Sequence, residues 1–291
     1  TSMSKNKNEE VYKIGINWYP GHMAKTKRLI RENLNFIDIV YELVDARMPK
    51  SSKIVDIDEI IKDKPKIMIM TKIDLCDLEE TKKWIKYYEN QGYHVLPLNL
   101  EDNKSLKPLI NLTNEVLKDY HQKREDKGLL KRKSRALIIG IPNVGKSTLI
   151  NRLSGKKVVQ AGNKPGVTKQ LNWIRVNEYL ELLDTPGILW PKLAEGAYNL
   201  ASLTAIKEEV LPLFDVAKYI LETLSKYYPK ILKERYNLEK LDDVIINDLE
   251  YIGRRRGCLI KGGEVDIDKV IILIINDVKL GNIKGITFDR F

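Results

Sequence analysis

The sequence predicts an α/β protein in which a mostly parallel sheet is flanked by helices and followed by a small all-helical C-terminal domain. Strand-like runs occur at residues 37–44, 67–70, 93–98, 136–139 and 179–183, of which 67–70 and 136–139 are wholly apolar and suit buried strands. From residue 200 the apolar side chains recur at helical spacing instead, and Pro229 marks a break. Helices are also predicted over 241–252 and 267–279, the latter ended by Gly281. The β-branched run 270–275 leaves a strand open as an alternative.

A phosphate-binding sequence follows the fourth of these runs. Residues 140–148 read Gly-Ile-Pro-Asn-Val-Gly-Lys-Ser-Thr, which fits G-x-x-x-x-G-K-[ST]. The glycines let the backbone aim N–H groups at phosphate oxygens, Lys146 reaches the β- and γ-phosphates, and the Ser147 hydroxyl can ligate Mg²⁺. The helical pattern that follows would place a helix N-terminus under the anion. We predict a bound nucleoside triphosphate, held here by Asn143, Val144, Gly145, Lys146, Ser147 and Thr148.

Two later elements are typical of the γ-phosphate and Mg²⁺ contacts of GTPases. Asp184 and Gly187 frame a D-x-x-G sequence directly after an apolar run. In that element the Asp lies near Mg²⁺ through water, and the Gly N–H lies near the γ-phosphate. Thr168, at the end of a Pro-Gly-Val-Thr segment, is a second candidate hydroxyl ligand. The predicted Mg²⁺ ligands are therefore Ser147, Thr168 and Asp184, and Thr168 and Gly187 join the nucleotide site.

A guanine-reading sequence precedes the phosphate loop. Residues 71–74 read Thr-Lys-Ile-Asp at the end of an apolar run. The Asp74 carboxylate can accept from both N1–H and N2–H₂ of guanine, a donor pair that adenine lacks, while the stem of Lys72 covers the base. Thr71 stands where Asn is usual, and its hydroxyl is expected to substitute. Asn99, which follows the run 93–98, lies where a loop that supports the base is expected.

The order of these elements is guanine reader, phosphate loop, switch threonine and D-x-x-G, which is a circular permutation of the usual GTPase order. A permuted chain needs a surface linker where the original termini are joined. Residues 121–135 are rich in charge and include Gly128, so we predict the linker there, between a helix at 106–120 and the strand before the phosphate loop.

The bulk composition bounds the class of protein. A chain of 291 residues can hold two domains, and a net charge of +10 favours an anionic partner larger than one nucleotide, nucleic acid being the usual case. Two cysteines and the lack of a long apolar run argue against a disulfide framework and a membrane span. We expect a cytoplasmic monomer. Its predicted parts are a disordered tail with a tag remnant at 1–10, a GTPase domain at 11–195 and a helical RNA-binding domain at 196–291.

Three features together resemble the circularly permuted GTPases of the YlqF/RbgA type, the ribosome biogenesis GTPase A family. They are the permuted order, Trp-Tyr-Pro-Gly-His-Met-Ala-Lys at 18–25 and Asp-Ala-Arg-Met-Pro at 45–49. The resemblance implies an assembly factor, bacterial in preference to organellar, that hydrolyses GTP to GDP late in maturation of the large (50S) ribosomal subunit. It also implies a C-terminal domain that contacts ribosomal RNA and a low intrinsic rate stimulated by the ribosomal particle. Asn143 resembles the K⁺-coordinating Asn of potassium-dependent GTPases, which makes K⁺ a candidate second cation.

The group that positions the attacking water is not where many GTPases carry it. They use a Gln just after D-x-x-G, but Ile188 stands there and cannot orient water. The resemblance points instead to His22, in the loop preceding the first predicted helix, since imidazole can orient or deprotonate water near neutral pH. Two other roles stay open for His22, that of a structural loop residue and that of an RNA contact. Lys146 is the second catalytic candidate, because its charge stabilises the transferring phosphoryl group.

The run Arg254, Arg255 and Arg256 is predicted on the connection between the last two helices, where it either grips RNA phosphates or is a solvated turn. Two other functions stay open from the residues alone. One is a P-loop kinase or ATPase acting on a small molecule. The other is an RNA-binding module with a vestigial nucleotide site.

Overall fold

The computed structural model describes residues 20–54, 57–102, 106–141, 144–155, 172–185 and 213–291, with the backbone alone at 20–26. Its sheet has the spatial order β3-β2-β1-β4-β6-β5. The strands are β1 Ile39–Asp45, β2 Lys66–Thr71, β3 His94–Pro97, β4 Ser134–Ile139, β5 Asn172–Arg175 and β6 Leu180–Asp184. All neighbouring pairs are parallel except β5 and β6. The mostly parallel α/β fold predicted from the sequence is thus confirmed.

The strands are buried because helices cover both faces of a parallel sheet. Every residue of β1 is buried, and so are the last five of β2. This explains why β2 reads as an apolar run in the sequence. In β1 the buried Glu42 interrupts the apolar residues and pairs with Lys53 at 2.8 Å. Each predicted run matches a strand, with boundaries shifted by at most two residues.

The helices fall into two groups. Around the sheet lie α1 Pro20–Asn33, α2 Ile57–Ile61, α3 Leu78–Asn90, α4 Leu106–Asp126 and α5 Lys146–Ser154. The C-terminal group is α6 Leu213–Tyr227, α7 Pro229–Tyr236, α8 Ile245–Arg256 and α9 Ile267–Lys279. Of the described helices, none is both long and apolar enough to cross a bilayer. Cys76 and Cys258 are buried free thiols.

The predicted linker at 121–135 is wrong in its extent. Helix α4 continues to Asp126, and β4 already begins at Ser134, so the connection is residues 127–133. The charged residues 123–126 belong to the last turn of α4, where Gln122 donates to Asp126 across 2.9 Å. The connection itself does carry Lys127, Lys131, Arg132 and Lys133. Gly128, at φ +69°, ends the helix because a left-handed residue there lets the chain reverse.

The C-terminal helices bury one another. Helix α9 packs against both α6 and α8, and its buried residues include Val270, Ile271, Ile274 and Ile275. The β-branched run is therefore helical, since burial against two neighbouring helices outweighs a weak local preference for strand. Pro229 is the first residue of α7, as expected for a proline that ends one helix and starts the next.

The chain after α9 returns to the sheet, which the sequence did not predict. The Phe288 N–H donates to the carbonyl of Arg47, and the indole N–H of Trp84 donates to the carbonyl of Asp289 at 3.2 Å. Phe291 stacks on Trp84 with 4.3 Å between ring centroids. The C-terminal tail, residues 280–291, therefore fastens the helical group to the GTPase part of the chain. The predicted boundary at 195/196 and the predicted tail at 1–10 lie outside the described residues.

Candidate nucleotide-binding site

The sequence motifs meet at one edge of the sheet. Because β1, β2, β3, β4 and β6 are parallel, their carboxyl ends share this edge, where α/β sheets bind ligands. Asp45 is paired in register with Thr71, and Ile138 with Asp184. The guanine reader, the phosphate loop and the start of D-x-x-G thus lie together although they are far apart in the chain.

The phosphate loop joins β4 to α5 and depends on its two glycines. Gly145 has φ +118°, a conformation that side chains with a Cβ rarely adopt, and a Cβ there would lie 2.9 Å from Leu100. At Gly140 a Cβ would lie 2.9 Å from a methyl group of Val144. The first turn of α5 follows at once, and the leading N–H groups of a helix have no intrahelical acceptor. Gly145 and the first turn of α5 are therefore arranged as the predicted anion-binding element requires.

Lys146 is held at the centre of this edge. Its ammonium group lies 3.1 Å from the Asp184 carboxylate and also donates to the Thr185 carbonyl. The residue is only 2% exposed. The Thr185 hydroxyl donates to the Ile138 carbonyl at 2.7 Å, which attaches the start of the D-x-x-G segment to the end of β4. The predicted phosphate-binding lysine and the predicted Mg²⁺-associated carboxylate are therefore direct neighbours.

The guanine-reading segment begins where β2 ends. Thr71 is the last residue of the strand and is buried. Its hydroxyl donates to the Val144 carbonyl at 2.8 Å, so it joins this segment to the phosphate loop. Lys72 then adopts a left-handed backbone with φ +59°, unusual for a residue with a side chain. The short 3₁₀ turn Ile73–Leu75 follows and leaves Asp74 exposed at the edge.

The loop after β3, which carries the base-supporting candidate Asn99, lies beside the phosphate loop, since Leu100 approaches Gly145. The side-chain carbonyl of Asn99 accepts from the Glu101 N–H at 3.0 Å, which shapes this loop. Arg152 of α5 donates to the Leu100 carbonyl and, at 2.8 Å, to the Asp102 carbonyl. The loop that carries Asn99 is therefore hydrogen-bonded to α5, the helix that follows the phosphate loop.

Sequence reasoning missed the electrostatic role of two residues at this edge. Asp45 and Arg47 form a buried ion pair at 3.0 Å, and Lys72 lies 3.6 Å from the same carboxylate. Burial alone would raise the pKa of Asp45, but the charges of Arg47 and Lys72 hold that pKa below its usual value. The signal was present in the sequence, since Asp45 ends the β1 segment and Arg47 follows it two positions later.

The donor set at this edge suits Mg²⁺. Ser147 offers a hydroxyl in the first turn of α5 and Asp184 a carboxylate at the end of β6, and Mg²⁺ prefers such hard oxygen ligands. The predicted ligand Thr168 lies outside the described residues, as do the nucleotide candidates Asn143 and Gly187 and residue Ile188. Thr148 is placed in the first turn of α5.

Position 22 is placed differently from the prediction. The backbone there belongs to α1, which begins at Pro20, so His22 is not in a loop before the first helix. Proline breaks a helix in its interior but is well tolerated at the first helical position, so the helix can begin at Pro20 itself. The imidazole itself is outside the described atoms.

The arginine run is also placed differently. Arg254, Arg255 and Arg256 form the last turn of α8 and are not on the connection after it. Cations favour this position because they face the negative end of the helix dipole, and Gly257 at φ +68° ends the helix. All three are exposed, and Arg256 donates to the Arg235 carbonyl at 2.9 Å.

Comparisons with known proteins agree with this arrangement. The family described as 50S ribosome-binding GTPase matches residues 135–247. A ribosome biogenesis GTPase A of Priestia megaterium is 47% identical over 277 residues, which cover 94% of this chain and 96% of that protein. Its counterpart in Thermotoga maritima is 30% identical over 285 residues, covering 94% of each.

A solved structure shares the fold. The crystal structure of GNP-bound YlqF from T. maritima matches with a TM-score of 0.57 at 25% identity and covers 91% of this chain and 97% of that one. The phosphate loop and the segment predicted to read guanine meet at one edge of the sheet, in permuted order, and the relatives are similar over nearly the whole chain. The chain belongs to the ribosome biogenesis GTPase A family.

Proposed function

We propose that GTP lies along the carboxyl edge of the sheet, with its base at the segments 71–74 and 98–101 and its phosphates at the N-terminus of α5. The observation that carries this proposal is the hydrogen bond from Thr71 to Val144, which joins the two segments into one site. Family membership makes the chain a GTPase of ribosome biogenesis. A small-molecule kinase and a vestigial nucleotide site are not favoured.

Each part of the edge has a chemical task in this proposal. Asp74 accepts from the two guanine donors, and its exposure leaves room for the base. Lys146 and the N–H groups of the phosphate loop stabilise the charge that develops on the phosphoryl group. Ser147, Thr168 and Asp184 hold Mg²⁺, which when bound neutralises charge on the β- and γ-phosphates, and Asn143 is the candidate ligand for K⁺. His22 orients the attacking water.

The partner in this proposal is a precursor of the large ribosomal subunit, late in its maturation in the bacterial cytoplasm. The names of the relatives and of the matching family support the ribosome as partner. A net charge of +10 suits binding to RNA, and the exposed arginines of α8 offer phosphate contacts. The protein acts as a monomer whose slow hydrolysis is stimulated by the particle.

An Asp74→Asn variant tests the base-reading role. An amide at this position cannot accept from both guanine donors, but its N–H can donate to the C2 carbonyl of xanthine. Hydrogen bonds to a charged group are worth roughly 1.5–3 kcal/mol each, so loss of both should lower GTP affinity by at least about a hundredfold while XTP affinity rises. Titration calorimetry with both nucleotides measures the two changes.

Asp77→Asn is the matched control, because it makes the same charge change three residues away. Asp77 caps α3 through Oδ1 and accepts from the Tyr228 hydroxyl through Oδ2 at 2.7 Å. In the variant the amide oxygen can keep the cap, and the amide N–H can donate to the Tyr228 hydroxyl oxygen. This control should retain the guanine preference. An Asp74→Asn protein that still prefers GTP as the wild type does would place the guanine reader elsewhere.

A further inference from the structure

The ion pair between Asp45, the last residue of β1, and Arg47 is buried. Oδ1 of Asp45 accepts from the Arg47 backbone N–H at 2.9 Å and from Nε at 3.1 Å, and Oδ2 accepts from Nη2 at 3.0 Å. The Asp45 side chain is 4% exposed and that of Arg47 is 1% exposed. A guanidinium buried in this way needs its carboxylate, since an unpaired charge in the interior is costly. The pair is therefore a fixed charge arrangement at the ligand-binding edge.

Asp45 faces a third charge, that of Lys72. Nζ of Lys72 lies 3.6 Å from Oδ2 of Asp45, and the lysine side chain is 31% exposed. Lys72 is also one of two non-glycine residues with positive φ in the described part of the chain. A sparsely populated backbone conformation persists only where the surroundings enforce it, and such positions cluster at ligand sites. The carboxylate of Asp45 is a contact that restrains the ammonium end of this residue.

Arg47 is in turn held from the C-terminal side. Its Nη1 donates to the Val278 carbonyl at 2.6 Å, near the end of α9, where helix carbonyls lack intrahelical donors. Its own carbonyl accepts from the Phe288 N–H of the C-terminal tail. These contacts fix the guanidinium, which fixes Asp45, so the three side chains form a chain of contacts from the C-terminal helices to the guanine-reading segment.

We propose that Asp45 and Arg47 are positioning residues for guanine binding, and that they hold Lys72 so that its stem lies over the base. This inference rests on the guanine-reading role proposed above for residues 71–74. A lysine has many rotamers, and fixing it in one of them on binding costs entropy. Anchoring the ammonium group on Asp45 before the nucleotide arrives removes part of that cost from binding, which is the usual gain from preorganisation. Neither Asp45 nor Arg47 needs to touch the nucleotide.

A double-mutant cycle with Asp45→Asn and Lys72→Met tests this dependence. Lys72→Met keeps an apolar stem but removes the group that Asp45 holds. In the wild-type background Asp45→Asn should weaken GDP binding by roughly three- to thirtyfold, in the range of pairwise coupling between contacting residues. In the Lys72→Met background the same change should have almost no effect. Affinities come from titration calorimetry, with thermal unfolding recorded for each variant.

If Asp45→Asn lowers GDP affinity by the same factor in the wild-type and Lys72→Met backgrounds, the proposal is overturned. Asp45 would then act only on the stability of the fold. A rescue experiment avoids disturbing the buried pair. Lys72 is partly exposed, so Lys72→Arg and Lys72→Met should both fold. Lys72→Arg can still pair with Asp45 and should bind GDP close to wild type, whereas Lys72→Met should bind severalfold more weakly. Equal affinity of Lys72→Met and the wild type would also overturn the proposal.

Lys83→Met is the matched control for loss of a lysine, because Lys83 pairs with Glu80 on the exposed face of α3 at 2.9 Å. Its GDP affinity should not change. Failure of this inference is distinct from failure of the guanine-reader assignment. An unchanged guanine preference in Asp74→Asn removes that assignment, whereas additivity in the Asp45 cycle leaves it in place and removes only the positioning role.

Discussion

The hydroxyl of Thr71 donates to the carbonyl of Val144 across 2.8 Å, and it also lies 3.2 Å from the carbonyl of Val44. Thr71 and Val144 are separated by 73 positions in the chain. A single buried hydroxyl thus contacts both the phosphate loop and the end of the central strand β1. This contact holds residues 71–74, the proposed guanine reader, beside the phosphate loop.

Thr71→Val removes the hydroxyl while keeping the side-chain shape. We expect a loss of about 1–3 kcal/mol in the free energy of unfolding, because buried carbonyls lose their donor. GDP affinity should fall by roughly three- to thirtyfold, since the two halves of the site are no longer held together. Chemical denaturation and titration calorimetry measure the two effects.

Thr113→Val is the control for Thr71→Val. The Thr113 hydroxyl is buried in α4 and lies 2.7 Å from both the Leu109 carbonyl and the Tyr41 hydroxyl. Its loss should lower stability to a similar degree with no change in GDP affinity. If both variants lose affinity equally, the Thr71 contact contributes only to general stability.

His22→Ala should leave GTP affinity nearly unchanged and largely abolish hydrolysis stimulated by the large subunit. Loss of a group that positions or deprotonates water costs about 10²–10⁴ in rate and contributes little to ground-state binding. Lys146→Ala should instead lower affinity as well as rate, because Lys146 contacts phosphate in the ground state. Single-turnover hydrolysis with and without large subunits measures the rates.

Particle binding must be measured beside turnover for His22→Ala. A variant that no longer binds the particle would lose stimulation for a trivial reason, so sedimentation with large subunits and a non-hydrolysable GTP analogue is the control. A variant that binds and is stimulated normally would show that His22 is not the catalyst.

Replacing Arg254, Arg255 and Arg256 with Ala should weaken RNA binding and flatten its dependence on salt. Each lost phosphate contact lowers the slope of log affinity against log salt by about 0.7–0.9. The control exchanges the same number of exposed cations on α3, Lys82, Lys83 and Lys86, for Ala. Fluorescence anisotropy with a ribosomal RNA fragment at several salt concentrations should show a smaller slope for the arginine variant only. Equal slopes in all three proteins would mean that the arginines form a solvated helix end.

Acid should weaken the attachment of the connection 127–133 to the sheet. Asp38 is buried and accepts from Arg132 at 2.8 Å and 2.9 Å and from the Arg135 N–H at 2.9 Å. Burial favours a higher pKa for Asp38, but these hydrogen bonds and the Arg132 charge outweigh it and lower the pKa. A lowered carboxyl pKa stabilises the fold above the unfolded value of about 3.9, and that contribution is lost as pH falls through the folded pKa.

Asp38→Asn tests this pH dependence. The variant should unfold at lower denaturant than the wild type at pH 7, and the difference should shrink as the pH is lowered below about 4. Urea denaturation at a series of pH values measures it. A difference that stays constant with pH would mean that the carboxylate charge contributes nothing and that only packing was disturbed.

Much of the fold could be predicted because burial leaves a strong mark on the sequence. Parallel strands covered on both faces are mainly apolar, and residues 67–70 of β2 and 136–139 of β4 read that way. The residues at which helices end were harder to predict. The charged last turns of α4 looked like a linker, and the arginines of α8 looked like a connection, because a solvated helix end and a loop have similar composition.

The sequence by itself determined which chemistry this protein carries. The phosphate-loop pattern, the residues 71–74 and their permuted order depend on residue types at fixed local spacing, since a loop must present defined groups to one ligand. Tertiary structure alone decided what holds those groups in place. The bond from Thr71 to Val144, the contact of Lys72 with Asp45 and the return of the C-terminal tail to Arg47 join residues far apart in the chain. Such contacts have no local pattern, because chain folding and not residue spacing brings the partners together.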